Sequence, residues 1–142
     1  MSSQDLIIRP YLEEDSVEVI ALWREVFTND PPWNDPPQVI QRKLAVQREL
    51  FLIGELRGRI VATVIAGYDG FRGWIYHLAV APNEQRKGLG RAMMAEAEKR
   101  LKAIGCPKIN LQVRSTNTDV IAFYKALGYS VEDHTSFGKL LD

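Results

Sequence analysis

The sequence predicts a mixed α/β fold in which a central, mostly antiparallel sheet of six to seven strands is flanked by about four helices. Two observations lead to this expectation. Apolar, β-branched runs at residues 50–56 and 60–68 flank Arg57-Gly58, a pattern typical of a β-hairpin. A further apolar run, Trp74 to Val80, breaks into a glycine-containing loop that leads into the amphipathic stretch Leu89 to Ile104. Strand, loop and helix are therefore expected in this order.

The remaining elements are predicted from local patterns of apolar spacing and of proline. The four prolines between Asn29 and Pro37 fix backbone dihedrals, so this segment is expected to be a loop between two helices. The other expected elements are a strand at Leu6 to Arg9, helices from Glu13 to Phe27, Pro37 to Leu50 and Asn117 to Leu127, a strand at Lys108 to Val113, and closing strands at Val131 and Phe137 to Leu141.

Length and composition predict a single domain over residues 1–142. The 18 basic and 18 acidic residues balance, which gives no reason to expect nucleic acid or an anionic membrane as the main partner. One cysteine excludes an internal disulfide, and no leader-like segment opens the chain, so a cytoplasmic location is expected. With only two histidines and one cysteine, no metal site is expected. Cys106 is interpreted as buried and inert.

The segment Gln85-Arg86-Lys87-Gly88-Leu89-Gly90 predicts a cradle for a pyrophosphate. A helix that follows such a turn leaves its first N–H groups without partners inside the helix, and its dipole favours an anion there. The two glycines permit close approach of a ligand. Positive charge comes from Arg86, Lys87 and Arg91.

Two common phosphate loops fit this segment poorly. A nucleotide P-loop ends in Gly-Lys-Ser/Thr, whereas Gly90 is followed by Arg91-Ala92. A dinucleotide fingerprint that starts at Gly88 would place a small residue at Met93 and an acidic residue where Val113-Arg114 stands.

The glycine-containing segment resembles the acyl-CoA-binding motif of the GNAT superfamily of N-acyltransferases. It has the pattern Gln-x-x-Gly-x-Gly and follows Leu78-Ala79-Val80-Ala81-Pro82. The segment Asn117 to Tyr129 is similar to the helix of that family in which a tyrosine follows an asparagine by seven residues. Residues 32–36 and 67–73 further resemble small bacterial YpeA-type acetyltransferases. The resemblance covers nearly the whole chain.

This resemblance implies transfer of an acetyl group from acetyl-CoA (coenzyme A) to a primary amine by direct attack. Oxyanion stabilisation is then expected from a backbone amide of the strand that contains Leu78. Asn117 is favoured as a helix cap on local grounds, and the family places the matching residue near the cofactor. The implied cofactor-binding residues are Leu78, Ala79, Val80, Gln85, Arg86, Lys87, Gly88, Leu89, Gly90, Arg91, Ala92, Asn117, Phe123 and Tyr124.

Tyr124 is the candidate general acid that protonates the leaving thiolate. A phenol with a pKa near 10 keeps its proton at neutral pH, and the resemblance implies the same role. The alternative is an aromatic residue that packs on the inner face of its helix.

The general base is open, because Tyr76 stands where many GNAT enzymes carry a glutamate. A tyrosine is a poor base at neutral pH but can orient a water or the amine. His77 has a suitable pKa, yet strand alternation sends it to the other face unless a bulge intervenes, so it is interpreted as structural. The loop carboxylates Asp35, Asp69 and Glu84 have no assigned role.

The acceptor is also open between a small-molecule amine and a protein amine. Trp33, Asn34 and Asp35 form either a substrate lid or a loop packed onto the core by Trp33. The missing glutamate at Tyr76 supports one alternative function, a non-catalytic acyl-CoA-binding or partner-binding module. GNAT domains are often dimers, which makes a homodimer one expected state.

Overall fold

The structure, a computed structural model, describes residues 5–141 and contains one sheet of five strands in chain order. Neighbouring strands from β1 to β4 are antiparallel, whereas β5 runs parallel to β4. The strands are β1 (Ile7–Pro10), β2 (Phe51–Leu56), β3 (Arg59–Tyr68), β4 (Gly73–Val80) and β5 (Ile109–Asn110). The predicted fold class is confirmed.

Four α-helices are found within residues 5–141, as the sequence predicts. They are α1 (Ser16–Val26), α2 (Pro36–Leu44), α3 (Leu89–Ala103) and α4 (Thr118–Ala126). Pro36 opens α2 at the position where a missing N–H costs nothing. The expected continuation of α2 to Leu50 is wrong, because Gln47 adopts a left-handed backbone with φ 51°.

The side chain of Gln47 instead continues the hydrogen bonding of β3. Its Oε1 accepts from the backbone N–H of Tyr68 at 2.8 Å, and its Nε2 donates to the carbonyl of Tyr68 at 3.0 Å. Lys43 Nζ donates to the carbonyl of Ala66 at 2.7 Å. These residues of β3 lie beyond the end of β2, so side chains satisfy backbone groups that have no strand partner there.

The hairpin between β2 and β3 has the predicted turn. Arg57 and Gly58 both have positive φ, 52° and 77°, as a type I′ turn requires. That turn matches the right-handed twist of the strands and fixes their register, with Leu56 opposite Arg59.

The two faces of the sheet pack against different helices. On one face, Phe51 and Ile53 of β2 join Trp23 of α1 in a buried cluster. Gly54 points the other way, where an added Cβ would lie 2.9 Å from the Sδ of Met93 in α3. Leu89, Met93, Ala97 and Leu101 of α3 are buried as the helical spacing predicts.

The predicted strand count is too high by one or two. Residues 129–141 contain no strand, and β5 has two residues rather than the six expected from Lys108 to Val113. Val131, Phe137 and Leu141 are 75%, 92% and 89% exposed. Side chains that stay in water gain no apolar burial to offset the entropy of ordering a strand, so the isolated apolar residues of this segment do not define one.

The described residues cluster into two compact units, one that ends at Leu111 and one that begins at Gln112. The first contains the whole sheet with α1 to α3, and the second contains α4. Among the helices of residues 5–141, none is long and apolar enough to cross a membrane.

Candidate active site

The loop between β4 and α3 ends in an uncapped helix N-terminus. Arg86 and Gly88 have left-handed backbones, with φ 65° and 81°, and Gly88 is the residue before the first helical position. No side chain caps α3, and the first turn carries no acidic residue. The first bond along the helix runs from the N–H of Ala92 to the carbonyl of Gly88 at 3.1 Å. The N–H groups of the first turn therefore face outward, as an anion site requires.

The charged side chains of this loop differ in their availability. Lys87 Nζ lies 3.3 Å from the carboxylate of Glu84, which is 8% exposed. This pair neutralises much of the charge on Lys87, so the remaining positive charge comes from Arg86 in the loop and Arg91 in the first turn of α3. Gln85 Nε2 donates to the carbonyl of Val80 at 3.1 Å. Gln85 thus ties the loop back to the end of β4.

β4 contains a β-bulge at its centre. Ile65 of β3 pairs with Tyr76, whereas Thr63 pairs with Ala79, so that His77 and Leu78 together lie opposite Val64. His77 has φ 50°, a left-handed backbone that is uncommon for residues other than glycine. Bulges are frequent next to active sites, where they redirect side chains.

The bulge brings His77 to the same face of the sheet as Tyr76. The imidazole packs against Trp23 and Phe27 of α1, with ring centroids 4.5 and 5.2 Å away. Tyr76 pairs with Ile65, which belongs to the core cluster of Trp23, and paired residues point to one face. The regular alternation of side chains between the two faces of the sheet is therefore broken at the bulge. For this reason, the position of His77 along the strand does not predict which face its side chain occupies.

The two side chains have opposite pKa shifts with a common main cause. Burial lowers the pKa of His77, although the Asp30 carboxylate opposes the shift. Burial and then the Asp69 carboxylate raise the pKa of Tyr76, whose side chain is half-exposed. At neutral pH, both groups are uncharged, so the imidazole can accept a proton and the phenol cannot.

One edge of β4 is open over most of its length within residues 5–111. β5 pairs only with Gly73 and Trp74, so the strand from Ile75 to Val80 has β3 on one side and no strand on the other in this unit. An open edge presents backbone N–H and C=O groups at regular spacing.

A cavity of about 470 Å³ lies between α1, α2 and the proline-rich loop that joins them, residues 27–35. Asn34 and Asp35 line it, whereas Trp33 is 52% exposed and does not. The carbonyl of Trp33 accepts from Arg42 at 2.9 Å. Of the three residues predicted as a possible lid, Asn34 and Asp35 therefore line the cavity and Trp33 does not. The other lining residues are Trp23, Arg24, Phe27, Thr28, Asp30, Pro31, Pro32, Pro36 and Gln38.

In the second unit, Tyr124 lies buried in α4. Its ring contacts Phe123 and Tyr129 edge-on, with centroids 5.0 and 5.6 Å away. Burial raises its pKa to about 12, so the phenol keeps its proton at neutral pH. Asn117 caps the helix, since its Oδ1 accepts from the N–H of Val120 at 3.4 Å. The local interpretation of Asn117 as a cap is confirmed.

Sequence reasoning missed the groups that surround the bulge. Local spacing identifies Trp23 and Phe27 only as apolar residues of an amphipathic helix, and Thr63 belongs to no recognisable motif. The bulge depends on contacts between residues far apart in the chain, so no local sequence pattern predicts it. The one available signal was the polar Thr63 inside the apolar run 60–68.

The comparisons with known proteins agree with this architecture. Residues 17–129 match the model of the Acetyltransferase (GNAT) family. An acetyltransferase from Yersinia pestis (strain Pestoides F) is 44% identical over 134 residues, which cover 94% of each chain.

Two solved structures with low sequence identity share the fold. The aminoglycoside antibiotic 6'-N-acetyltransferase AAC(6')-IG from Acinetobacter haemolyticus has a TM-score of 0.77 at 19% identity, over 96% of this chain and 99% of that one. AAC(6')-Iy, in complex with the bisubstrate analog CoA-S-monomethyl-acetylneamine, has a TM-score of 0.76 at 13% identity with the same coverage.

Proposed function

Because this chain belongs to the GNAT family of acetyltransferases, we propose that it transfers acetyl to a primary amine by direct attack, with Tyr124 as the general acid. The chain is an acetyltransferase, and acetyl-CoA is the cofactor of its family. The observation that carries the proposal is the uncapped N-terminus of α3, which is joined to the open-edged strand β4 by the loop of residues 81–88.

The residues present fit the diphosphate of acetyl-CoA. Gly88 adopts φ 81°, and no side chain caps the first N–H groups of α3. Arg86 and Arg91 supply positive charge at the same end of the helix. In this proposal Leu89, Gly90 and Ala92 contribute backbone to the cradle. Gln85 and the Lys87–Glu84 pair hold its shape.

The open edge of β4 fits the amide-containing arm of the cofactor. Backbone groups of Leu78, Ala79 and Val80 would pair with that arm as a neighbouring strand does. Bound there, acetyl-CoA supplies an acetyl group activated as a thioester. A backbone N–H of this segment can stabilise negative charge on the acetyl oxygen.

Three groups are proposed to handle protons and orientation. Tyr124, with a pKa of about 12, holds a proton that it can donate to a leaving thiolate. Tyr76 also stays protonated, since burial raises its pKa, so it orients the amine or a water rather than removing a proton. The neutral imidazole of His77 lies on the same face, which keeps it a candidate for the base.

The roles proposed for residues of the second unit, which begins at Gln112, rest on the family resemblance. Asn117, Phe123 and Tyr124 stand at the positions that match the second GNAT motif. The family match runs from residue 17 to residue 129, across the boundary after Leu111. We therefore propose that both units belong to one functional domain.

The acceptor is proposed to be a primary amine, free or in a protein. The cavity near α1 contains the carboxylates of Asp30 and Asp35, which suit a cationic group. Asp35 is partly engaged, because Arg24 lies 3.8 Å away. Trp33, outside the cavity lining, would contact only an acceptor that extends beyond it.

Calorimetric titration tests the cofactor site. Wild-type protein is titrated with acetyl-CoA, CoA and ATP, and the titration is repeated on Gly88→Glu, which adds bulk and negative charge to the cradle. Gly58→Glu is the matched control, because Gly58 has a similar φ of 77° in the hairpin turn. Both substitutions strain the backbone, but only one lies in the proposed site.

The expected result is binding of acetyl-CoA to wild type and Gly58→Glu, loss of binding in Gly88→Glu, and no binding of ATP. Thiol release from acetyl-CoA with a panel of primary amines then tests transfer. Equal binding by Gly88→Glu would contradict the proposed cradle. Binding without turnover for every amine would contradict the proposed acceptor class and favour a non-catalytic module.

A further inference from the structure

A buried chain of hydrogen bonds connects α1 to the bulge in β4. Trp23 Nε1 donates to Thr63 Oγ1 at 2.9 Å, and the hydroxyl of Thr63 donates to the carbonyl oxygen of His77 at 2.9 Å. Trp23 and Thr63 are 1% and 0% exposed. The Thr63 hydroxyl thus acts as acceptor and donor at once.

The bond to His77 fixes the orientation of one peptide group. No peptide bond in residues 5–141 is cis. In a planar trans peptide the N–H points opposite to the C=O. Because the carbonyl of His77 points to the Thr63 hydroxyl, the N–H of Leu78 points away from that hydroxyl. Along Ile75 to Val80, the edge of β4 that faces away from β3 has no strand partner within residues 5–111.

We propose that Thr63 and Trp23 are positioning residues that hold the His77–Leu78 peptide so that the N–H of Leu78 faces the reacting acetyl oxygen. This inference rests on the proposed function, because it assumes that acetyl-CoA lies along the open edge of β4. Thr63 is 0% exposed, and Trp23, which also lines the cavity near α1, is 1% exposed, so in this proposal both act through the bulge and not by contact with the reacting atoms.

The geometry makes a purely packing role insufficient. A bulge with His77 at φ 50° needs a partner for a carbonyl that has left the regular ladder. Valine at position 63 would fill nearly the same volume, yet it would leave the His77 carbonyl and the Trp23 indole N–H without this partner. The hydroxyl, and not the shape, is what the bulge requires.

The test compares Thr63→Val with Thr63→Ser. Val19→Ala is the stability control, because Val19 is 0% exposed in the same core cluster and has no role in the proposed site. The first readout is the ¹H–¹⁵N spectrum of the protein without cofactor, at the Leu78 amide and the Trp23 indole. Steady-state kcat and KM with acetyl-CoA and an amine from the panel are the second readout.

In Thr63→Val, both resonances should move and kcat should fall by about tenfold or more, with the KM for acetyl-CoA changed by less than about threefold. Thr63→Ser should keep both resonances near wild type and kcat within about threefold, because it restores the hydroxyl. Val19→Ala should lower the midpoint of unfolding without this loss of kcat.

Two results overturn the inference: an unmoved Leu78 amide in Thr63→Val, or equal losses of kcat in Thr63→Val and Val19→Ala. Absence of turnover by wild type with every amine is a different failure, that of the proposed function. In that case the spectra alone decide, and an unmoved Leu78 amide in Thr63→Val still overturns the positioning role.

Discussion

The indole of Trp23 lies against the imidazole of His77, with ring centroids 4.5 Å apart and ring planes inclined by 50°. Phe27 contacts the same imidazole edge-on. Burial between these rings lowers the pKa of His77 from its ordinary value of 6.5, although Asp30 opposes the shift. The unfolded chain therefore binds a proton at a higher pH than the folded protein does.

The stability of the protein should consequently fall as the pH is lowered from 6.5 through the depressed pKa of His77. Stability rises with pH wherever the unfolded state binds more protons, so the contribution of His77 is complete above pH 6.5 and is lost below its folded pKa. Urea unfolding of wild type and His77→Asn at neutral and mildly acidic pH measures this. Asparagine is chosen because it tolerates the left-handed backbone.

His77→Asn should show a smaller loss of stability on acidification than wild type. The exposed His134 provides the control, and His134→Asn should behave as wild type does. An equal acid sensitivity in His77→Asn and wild type would show that the imidazole is not the titrating group.

Arg9 joins two carboxylates at the start of the sheet. Its guanidinium donates to Asp15 at 2.8 and 2.9 Å, and its Nε donates to Glu55 at 2.6 Å. Asp15 is 4% exposed. Burial alone would raise the pKa of Asp15, but the bonds from Arg9 and from the N–H of Leu12 lower it. The carboxylate thus stays charged because Arg9 is present.

Arg9→Met should lower the free energy of unfolding by about 2 to 3 kcal/mol, because it leaves a buried carboxylate without its partner. Arg48→Met is the matched control. Arg48 also forms two bonds to one carboxylate, that of Glu13, at 2.8 Å each, but this pair is exposed. Exposed pairs contribute little, so urea unfolding of Arg48→Met should be close to wild type. Equal losses of unfolding free energy in Arg9→Met and Arg48→Met would show that the burial of Asp15 does not determine the contribution of its ion pair.

The contrast between local and distant determinants explains what the sequence could predict. Arg57-Gly58 forms the expected turn because its two residues define it alone. The strand that ends at Val80 and the helix that begins at Leu89 follow from local periodicity and glycine placement. These predictions required no knowledge of tertiary contacts.

The bulge at His77 illustrates the other kind of determinant. It is stabilised by Thr63 and Trp23, which are distant in the chain, and no glycine marks its left-handed residue. The expected strands near Val131 and Phe137 failed for the same reason, since only burial against another element could have ordered them. The identity of the general base stays open because it depends on an acceptor that the sequence does not specify.

Gly73 allows close contact between β4 and the segment before β5. An added Cβ would lie 2.7 Å from the Sγ of Cys106 and 3.4 Å from side-chain carbons of Ile109 and Leu101. Gly73→Ala should therefore lower the free energy of unfolding by about 1 to 3 kcal/mol through overpacking. The half-buried Cys106, whose Sγ donates to the carbonyl of Lys108 at 3.3 Å, is the closest obstacle.

Removal of that obstacle supplies the check. Gly73→Ala combined with Cys106→Ala should lose less stability than the sum of the two single variants, and thermal or urea unfolding measures the difference. Gly138→Ala is the control, because nothing lies within 4 Å of an added Cβ there. If the stability losses of the two single variants are strictly additive in the double variant, the strain in Gly73→Ala does not come from contact with the Sγ of Cys106.

Tyr124 allows a test of the proposed general acid that is separate from cofactor binding. Tyr124→Phe keeps the ring that packs between Phe123 and Tyr129 and removes only the hydroxyl. If the phenol protonates the leaving thiolate, kcat should fall by about a hundredfold or more. Calorimetric affinity for CoA should persist. Tyr68→Phe, which removes a hydroxyl that donates to Gly70, should leave kcat near wild type.

The pH dependence gives an independent check on the same residue. Because burial raises the pKa of Tyr124 to about 12, the phenol stays protonated through neutral and mildly alkaline pH. An acid acts only in its protonated form, so its loss should appear only as the pH rises toward that value. An alkaline fall in kcat with a midpoint near pH 9 would come from another group. If Tyr124→Phe retains kcat within about threefold, the phenol is not the general acid, whatever its pKa.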